Sequence, residues 1–233
     1  MRRVLIFLFF CTLFTCSREE PIVPMSTEEP SMPATIDTLY YLALGDSYTI
    51  GESVAETERW PVQLANRLDG MTNPDIIART GWTTDELQAG IASRNGLREK
   101  YDLVSLLIGV NNQFRGWPID TYRTEFRELL DYAISKSMDG VDGVFVVSIP
   151  DYAFTPFGNG RPEISSGVDA FNAAAAEICQ EVGVPFLNIT LISRQGLELP
   201  ELVAEDDLHP SGLQYQRWVN EVILPTAEDV LED

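Results

Sequence analysis

A serine, a histidine and an acid are the residues of this chain whose types and spacing suit covalent chemistry. Histidine occurs once in 233 residues, at position 209. It stands in Asp206-Asp207-Leu208-His209-Pro210, just ahead of a helical segment. An acid three residues before a histidine reaches the imidazole within one turn. There it orients the ring and stabilises the imidazolium. Asp207, two residues away, points elsewhere, toward solvent. A serine hydroxyl is a weak nucleophile until a base takes its proton. Ser47 lies in Gly45-Asp46-Ser47-Tyr48, which closes an apolar run, so its hydroxyl would face the crevice at a strand end. Gly-Asp-Ser alone more often marks a plain turn, and a lone histidine is more often a cap or surface residue than a base. Together they make a nucleophile and its base. The Gly-x-Ser-x-Gly elbow of the common α/β-hydrolases is absent.

Two further segments follow apolar runs. In Arg79-Thr80-Gly81-Trp82-Thr83, Gly81 reads either as a turn glycine or as a backbone N–H turned toward an oxyanion. In Gly109-Val110-Asn111-Asn112, Asn111 reads either as part of a polar turn or as an amide donor to the same oxyanion.

These groups need a scaffold. From Asp37 onward, short apolar runs alternate with helical stretches. Strands are expected at 39–44, 75–78, 101–108, 144–149 and 185–189, and helices at 60–68, 83–93, 121–135, 168–182 and 212–223. Thr83-x-x-Glu86 is a capping box. Tyr122, Phe126, Leu129, Leu130, Ala133 and Ile134 form one helical stripe. Ser211 suits an N-cap. Strands alternating with helices imply a parallel sheet covered on both faces, with ligands at the carboxyl ends of the strands. At 233 residues and 45% hydrophobic content, the chain is sized for one core rather than two domains.

Composition excludes several functions. The formal charge is −20, which repels phosphate backbones and makes nucleic acid a poor partner. One histidine excludes multi-histidine metal sites. Three cysteines without a Cys-x-x-Cys pair exclude a disulfide scaffold and a cysteine-rich metal site.

The four segments, in this order and each at a strand end, strongly resemble the four blocks of the SGNH (GDSL) hydrolases from Thr38 to about Val219. The resemblance implies a flavodoxin-like three-layer α/β/α sandwich with a five-stranded parallel sheet. It implies Ser47 as nucleophile, His209 as base and Asp206 as orienting acid. Ser47 N–H, Gly81 N–H and the Asn111 side chain would form the oxyanion hole, with no metal or organic cofactor. Tyr48 stands where the family name has leucine, and Asn112 where the third block often has aspartate. Family members cleave carboxylic esters, including lysophospholipids, aryl esters and acetylated sugars. The implied activity is a serine ester hydrolase on lysophospholipid or short-chain acyl esters. The alternatives are a carbohydrate O-acetylesterase and a non-catalytic surface lipoprotein that binds glycan or lipid. Tyr152, Phe154 and Phe157, after the fourth strand, suit an acyl groove, a sugar platform or a loop packed on its own sheet.

The first residues read differently. Arg2 and Arg3 precede the apolar run Val4 to Phe10, which is too short for a comfortable membrane span. Leu13-Phe14-Thr15-Cys16 resembles a bacterial lipobox, which would make Cys16 the lipidated first residue after removal of 1–15. Residues 16–36 are polar and proline-rich and read as a tether. The hydrolase domain is then 37–233. The expected place is the cell envelope, with membrane contact through the lipid anchor only. An ordinary signal peptide and secretion are the alternative.

Overall fold

The structure is a computed structural model that describes residues 37–232. The leader, the Cys16 lipidation site and the tether lie outside the described residues. Five parallel strands form one sheet: β1 (Tyr41–Gly45), β2 (Asp75–Ala78), β3 (Leu103–Leu107), β4 (Val144–Val147) and β5 (Phe186–Leu187). Their order is β2-β1-β3-β4-β5. Central strands β1, β3 and β4 are buried along their whole length, as expected of parallel strands covered on both faces.

Helices fill the connections. They are α1 (Ser47–Ile50), α2 (Trp60–Ala65), α3 (Thr84–Ser93), α4 (Val110–Phe114), α5 (Ile119–Lys136), α6 (Pro162–Val182), α7 (Thr190–Ser193), α8 (Gly212–Trp218) and α9 (Leu224–Glu232). The sequence explains several of them. Thr83 and Glu86 form the expected capping box of α3. The stripe of α5 buries Tyr122, Phe126, Leu129, Leu130 and Ala133. Ser211 caps α8 by accepting from Gln214 N–H. On one side of the sheet α3 packs on α5 and α5 on α6; elsewhere α2 packs on α8, and α9 lies against β3 and β4. Trp60 of α2 and Trp218 of α8 are fully buried. Cys179 is a free, buried thiol in α6, pushed up to about 12 by burial, and is a core residue as expected.

Several strand and helix ends shift by a few residues from the sequence expectation, and three of the departures have a clear form. Helix α6 begins at Pro162 rather than near 168, because Pro162 sits at its first turn where no N–H is needed. Strand β5 has two residues rather than five. The last helix does not stop at Ile223. A π turn over Val219–Ile223 leads into α9, and the wider turn accommodates Pro225 near the α9 start.

The strand order reverses on either side of β1 and β3: β2 lies beyond one and β4 beyond the other. Such a switch point opens a crevice at the carboxyl ends of the two strands. Gly45 and Leu107 end them, in register with each other. Gly45 must lack a side chain. A Cβ there would sit 2.1 Å from Thr49 Oγ1 and 2.5 Å from the Leu107 carbonyl. That clearance lets α1 turn directly off β1 and brings Ser47 to the crevice.

Candidate active site

The chain enters α1 through Asp46, whose carboxylate accepts the Tyr48 N–H at 3.0 Å. Ser47 opens the helix, is 4% exposed, and faces a cleft of about 150 Å³. Gly81, Asn111 and His209 line the same cleft. The structure therefore brings together Ser47, Gly81, Asn111 and His209 from four separate connections. Asp206 joins them through the histidine.

The Asp206–His209 pair has the expected geometry. Asp206 Oδ2 lies 2.6 Å from His209 Nδ1. The other carboxylate oxygen, Oδ1, accepts the Leu208 N–H at 3.0 Å and the His209 N–H at 2.9 Å. Burial by itself would raise this carboxyl. Hydrogen bonds from Ser53, the His209 ring and the two backbone N–H groups outweigh it and hold the acid well below the usual carboxylate range. With Nδ1 engaged by an ionised acid, Nε2 is the ring nitrogen free to accept a proton. The ring is 10% exposed and packs edge-on to Tyr48, with centroids 5.6 Å apart. Asp207 is exposed and sits in the left-handed region at φ 62. It takes no part in the pair, as the spacing predicts.

The proposed oxyanion donors are held from outside the cleft. Gly81 has φ 87, a conformation that strains any side chain. Its carbonyl accepts from the Arg115 guanidinium at 2.6 Å, and Arg115 also meets Glu86 of the α3 capping box at 3.2 Å. Among the described residues, neither the Ser47 N–H nor the Gly81 N–H has an acceptor. Asn111 donates one amide hydrogen to the Trp82 carbonyl at 2.9 Å, which fixes the side chain and leaves its second hydrogen for the cleft. Ser47 and His209 share the cleft without a direct hydrogen bond. Such bonds commonly tighten only when substrate is bound.

Asn112, one residue on, points the other way. It is fully buried, accepts the Thr84 N–H at 3.1 Å and donates to Thr84 Oγ1 at 2.7 Å. Its work is to tie α4 to the start of α3. The departure from aspartate at this position therefore falls on a packing contact.

Apart from Thr80, the rest of the cleft is mostly apolar. Val110, Phe114, Tyr152, Phe157 and Leu208 line it. Three aromatic rings form one cluster: Phe114 lies 6.3 Å from Tyr152 and 6.2 Å from Phe157, and Tyr152 lies 6.4 Å from Phe157. Phe154, grouped with them in the sequence, does not line the cleft. It belongs to the 3₁₀ turn Tyr152–Phe154, which is anchored by the buried Asp151, itself paired with Arg194 at 2.9 Å. Phe114 was not singled out by the sequence. The available signal was its place three residues after Asn111, on the same helix face. Ser53, which donates to Asp206 at 2.6 Å, gave no local signal at all.

The model of the GDSL-like lipase/acylhydrolase family matches residues 43–217. No curated protein matches the chain in sequence. Several solved structures share the fold. An extracellular lipase from Streptomyces rimosus is 19% identical, with 83% of this chain and 100% of that one covered at a TM-score of 0.62. An acetylxylan esterase from Geobacillus stearothermophilus is 19% identical, with 81% and 95% covered at 0.62. A psychrotrophic esterase from Pseudoalteromonas is 17% identical, with 83% and 99% covered at 0.59.

Proposed function

The chain belongs to the GDSL-like lipase/acylhydrolase family and is a carboxylic ester hydrolase, and from that premise we propose a Ser47-His209-Asp206 mechanism acting on short-chain acyl esters. The observation that carries the mechanism is the short Asp206–His209 bond on the wall of the cleft that Ser47 faces. In the proposed reaction, His209 Nε2 takes the Ser47 proton as Oγ attacks the acyl carbon. The tetrahedral oxygen then accepts from Ser47 N–H, Gly81 N–H and Asn111 Nδ2, donors matched to a charge the ground-state ester lacks. Collapse expels the alcohol, which receives the proton from His209. Water repeats the sequence on the acyl-enzyme. Asp206 holds the tautomer and stabilises the imidazolium throughout.

The cleft's size supports the choice of substrate. An apolar space near 150 Å³ holds about one benzene-sized group. An acetyl to butyryl chain fits; the long chain of a lysophospholipid would have to run out over Phe114 and Phe157. A second reading, a carbohydrate O-acetylesterase, has its own support. The rings of Phe114 and Phe157 are 60% and 45% exposed beside the cleft, a position suited to stacking on a sugar face. The acetylxylan esterase among the structural relatives agrees with that reading. We also propose attachment to the cell envelope through a lipidated Cys16. Cys16→Ser should move the protein out of the membrane fraction, and an unmodified mature N-terminus beyond position 16 would refute the anchor.

A fluorophosphonate probe tests the mechanism. Wild type should label covalently, and Ser47→Ala should lose both label and turnover while keeping its fold, since a small polar residue at a strand end has little packing to lose. Near-wild-type turnover in Ser47→Ala would leave a binding protein in place of this mechanism. A panel of p-nitrophenyl esters of rising chain length, acetylated xylo-oligosaccharides and lysophospholipids then separates the substrate readings.

A further inference from the structure

We propose that Ser53 is a positioning residue for the acid of the triad, so that one strap, residues 47–53, carries both the nucleophile and the clamp on the acid–base turn. The inference rests on the triad reading above. Ser53 Oγ lies 2.6 Å from Asp206 Oδ2, the same oxygen that holds His209 Nδ1, across 153 positions of sequence. The acid is ionised, so the hydroxyl is the donor. Asp206 then accepts four hydrogen bonds: two backbone N–H groups at Oδ1, and Ser53 and the imidazole at Oδ2. The oxygen that serves the histidine is thus also held by a residue outside its own turn.

The backbone at Ser53 points to the same role. Its φ is 66, one of three positive values among described non-glycine residues. A left-handed serine is disfavoured relative to glycine, and such strain persists where the surroundings demand it. The strap reaches that point in a defined way. Gly51 closes α1 with φ 70, and both Gly51 N–H and Glu52 N–H donate to the Ser47 carbonyl at 3.0 Å. Glycine at position 53 would suit the conformation better and provide no hydroxyl. A serine in this conformation therefore keeps a donor at some conformational cost.

The hydroxyl also acts on the base through the acid. It disperses the Asp206 charge, which weakens the pull on the imidazolium. Removing it should shift the acid limb of the kcat/KM profile to higher pH. Tyr48 and Tyr215 face this pair and stay neutral, since burial raises both far above 10. Besides Asp206, the acids that act on these tyrosines are Asp46, Glu52 and Asp151. Burial pushes the Asp46 carboxyl up to about 7, and the residue is kept in all the variants, so the comparison between variants carries the result.

The test uses Ser53→Gly and Ser53→Ala in the full chain, with Asp206→Asn in parallel, on p-nitrophenyl acetate. Both Ser53 variants lack the hydroxyl, but glycine favours the backbone conformation and alanine does not. Both should lose about tenfold in kcat, because a partly exposed charged hydrogen bond is partly replaced by water. KM should hold, the acid limb should move upward in both, and the melting temperature of Ser53→Gly should match wild type. Wild-type kcat and pH profile in both variants overturn the proposal. So does a loss in Ser53→Ala with full activity in Ser53→Gly, which assigns the effect to backbone strain. Asp206→Asn separates the two levels of the argument. If it keeps activity, the triad reading fails; if it collapses while the Ser53 variants are normal, the Ser53 role alone fails.

Discussion

The turn that holds Ser47 and the turn that holds Asp206 and His209 are built on the same local device and end in opposite electrostatic states. Asp46 accepts an N–H two residues on, from Tyr48, and Asp206 does the same with Leu208. Beyond that they diverge. Asp46 is fully buried, and among the described residues its Oδ2 has no partner. Burial pushes its carboxyl up to about 7, against which the Tyr48 N–H is too little. The side chain of Asp206 is 30% exposed, has both oxygens engaged, and is held well below the carboxylate range. Burial raises both carboxyls, most at the fully buried Asp46, and only Asp206 has donors enough to outweigh it. Only a charged one can stabilise an imidazolium, so the proposed mechanism places the acid–base chemistry on the turn closer to solvent and the nucleophile on the deeper one.

Substitution at the two turns should expose that division. The largest effect belongs to Asp206→Asn, which keeps the shape but favours the wrong tautomer. Its kcat should fall on the order of 10³–10⁴. Asp207→Asn should stay within about tenfold, since it removes only an exposed neighbouring charge. Equal losses for the two would dissolve the distinction and shift the pairing by one residue.

On the nucleophile side, Asn111→Ala should cost roughly 10²–10³ in kcat with little change in KM, as expected for a donor used only in the transition state. Its pH profile should match wild type, in contrast to changes around Asp206. Asn112→Ala should act on stability instead, because its side chain caps α3 through Thr84. A kcat loss at Asn112 as large as at Asn111 would contradict this assignment.

The smallest kinetic effect should come from Asp46→Asn, which retains an acceptor for Tyr48 N–H and removes the ionisation. Its signature is in stability. A carboxyl raised to about 7 contributes stability that is full below its unfolded value of 3.8 and is lost as the pH rises through about 7. Asp206, shifted downward, contributes with the reverse sign: its stability is present above the unfolded value and lost as the pH falls through its folded value. Thermal melts from pH 5 to 8 should show wild type losing several degrees, roughly, and Asp46→Asn losing less. Parallel slopes in the two proteins would show that Asp46 does not titrate there.

Much of this was legible in the chain because it is local. The capping box Thr83–Glu86, the α5 stripe and the Ser211 cap each arise within a few residues, and so does the Asp206–His209 bond, three residues apart. Burial on both faces made the central strands readable as apolar runs. Other features needed the assembled fold. Ser53 meets Asp206 across 153 positions, and Phe114 meets Phe157 across the gap between two connections. Whether Asn111 or Asn112 faced the cleft was settled by Thr84 lying behind one and Trp82 beside the other. Spacing along the chain fixes which side chains share a turn, because backbone geometry repeats every few residues. Which turns share a cleft depends on strand order and on the helices packed between them, and those follow from burying both faces of the whole sheet at once.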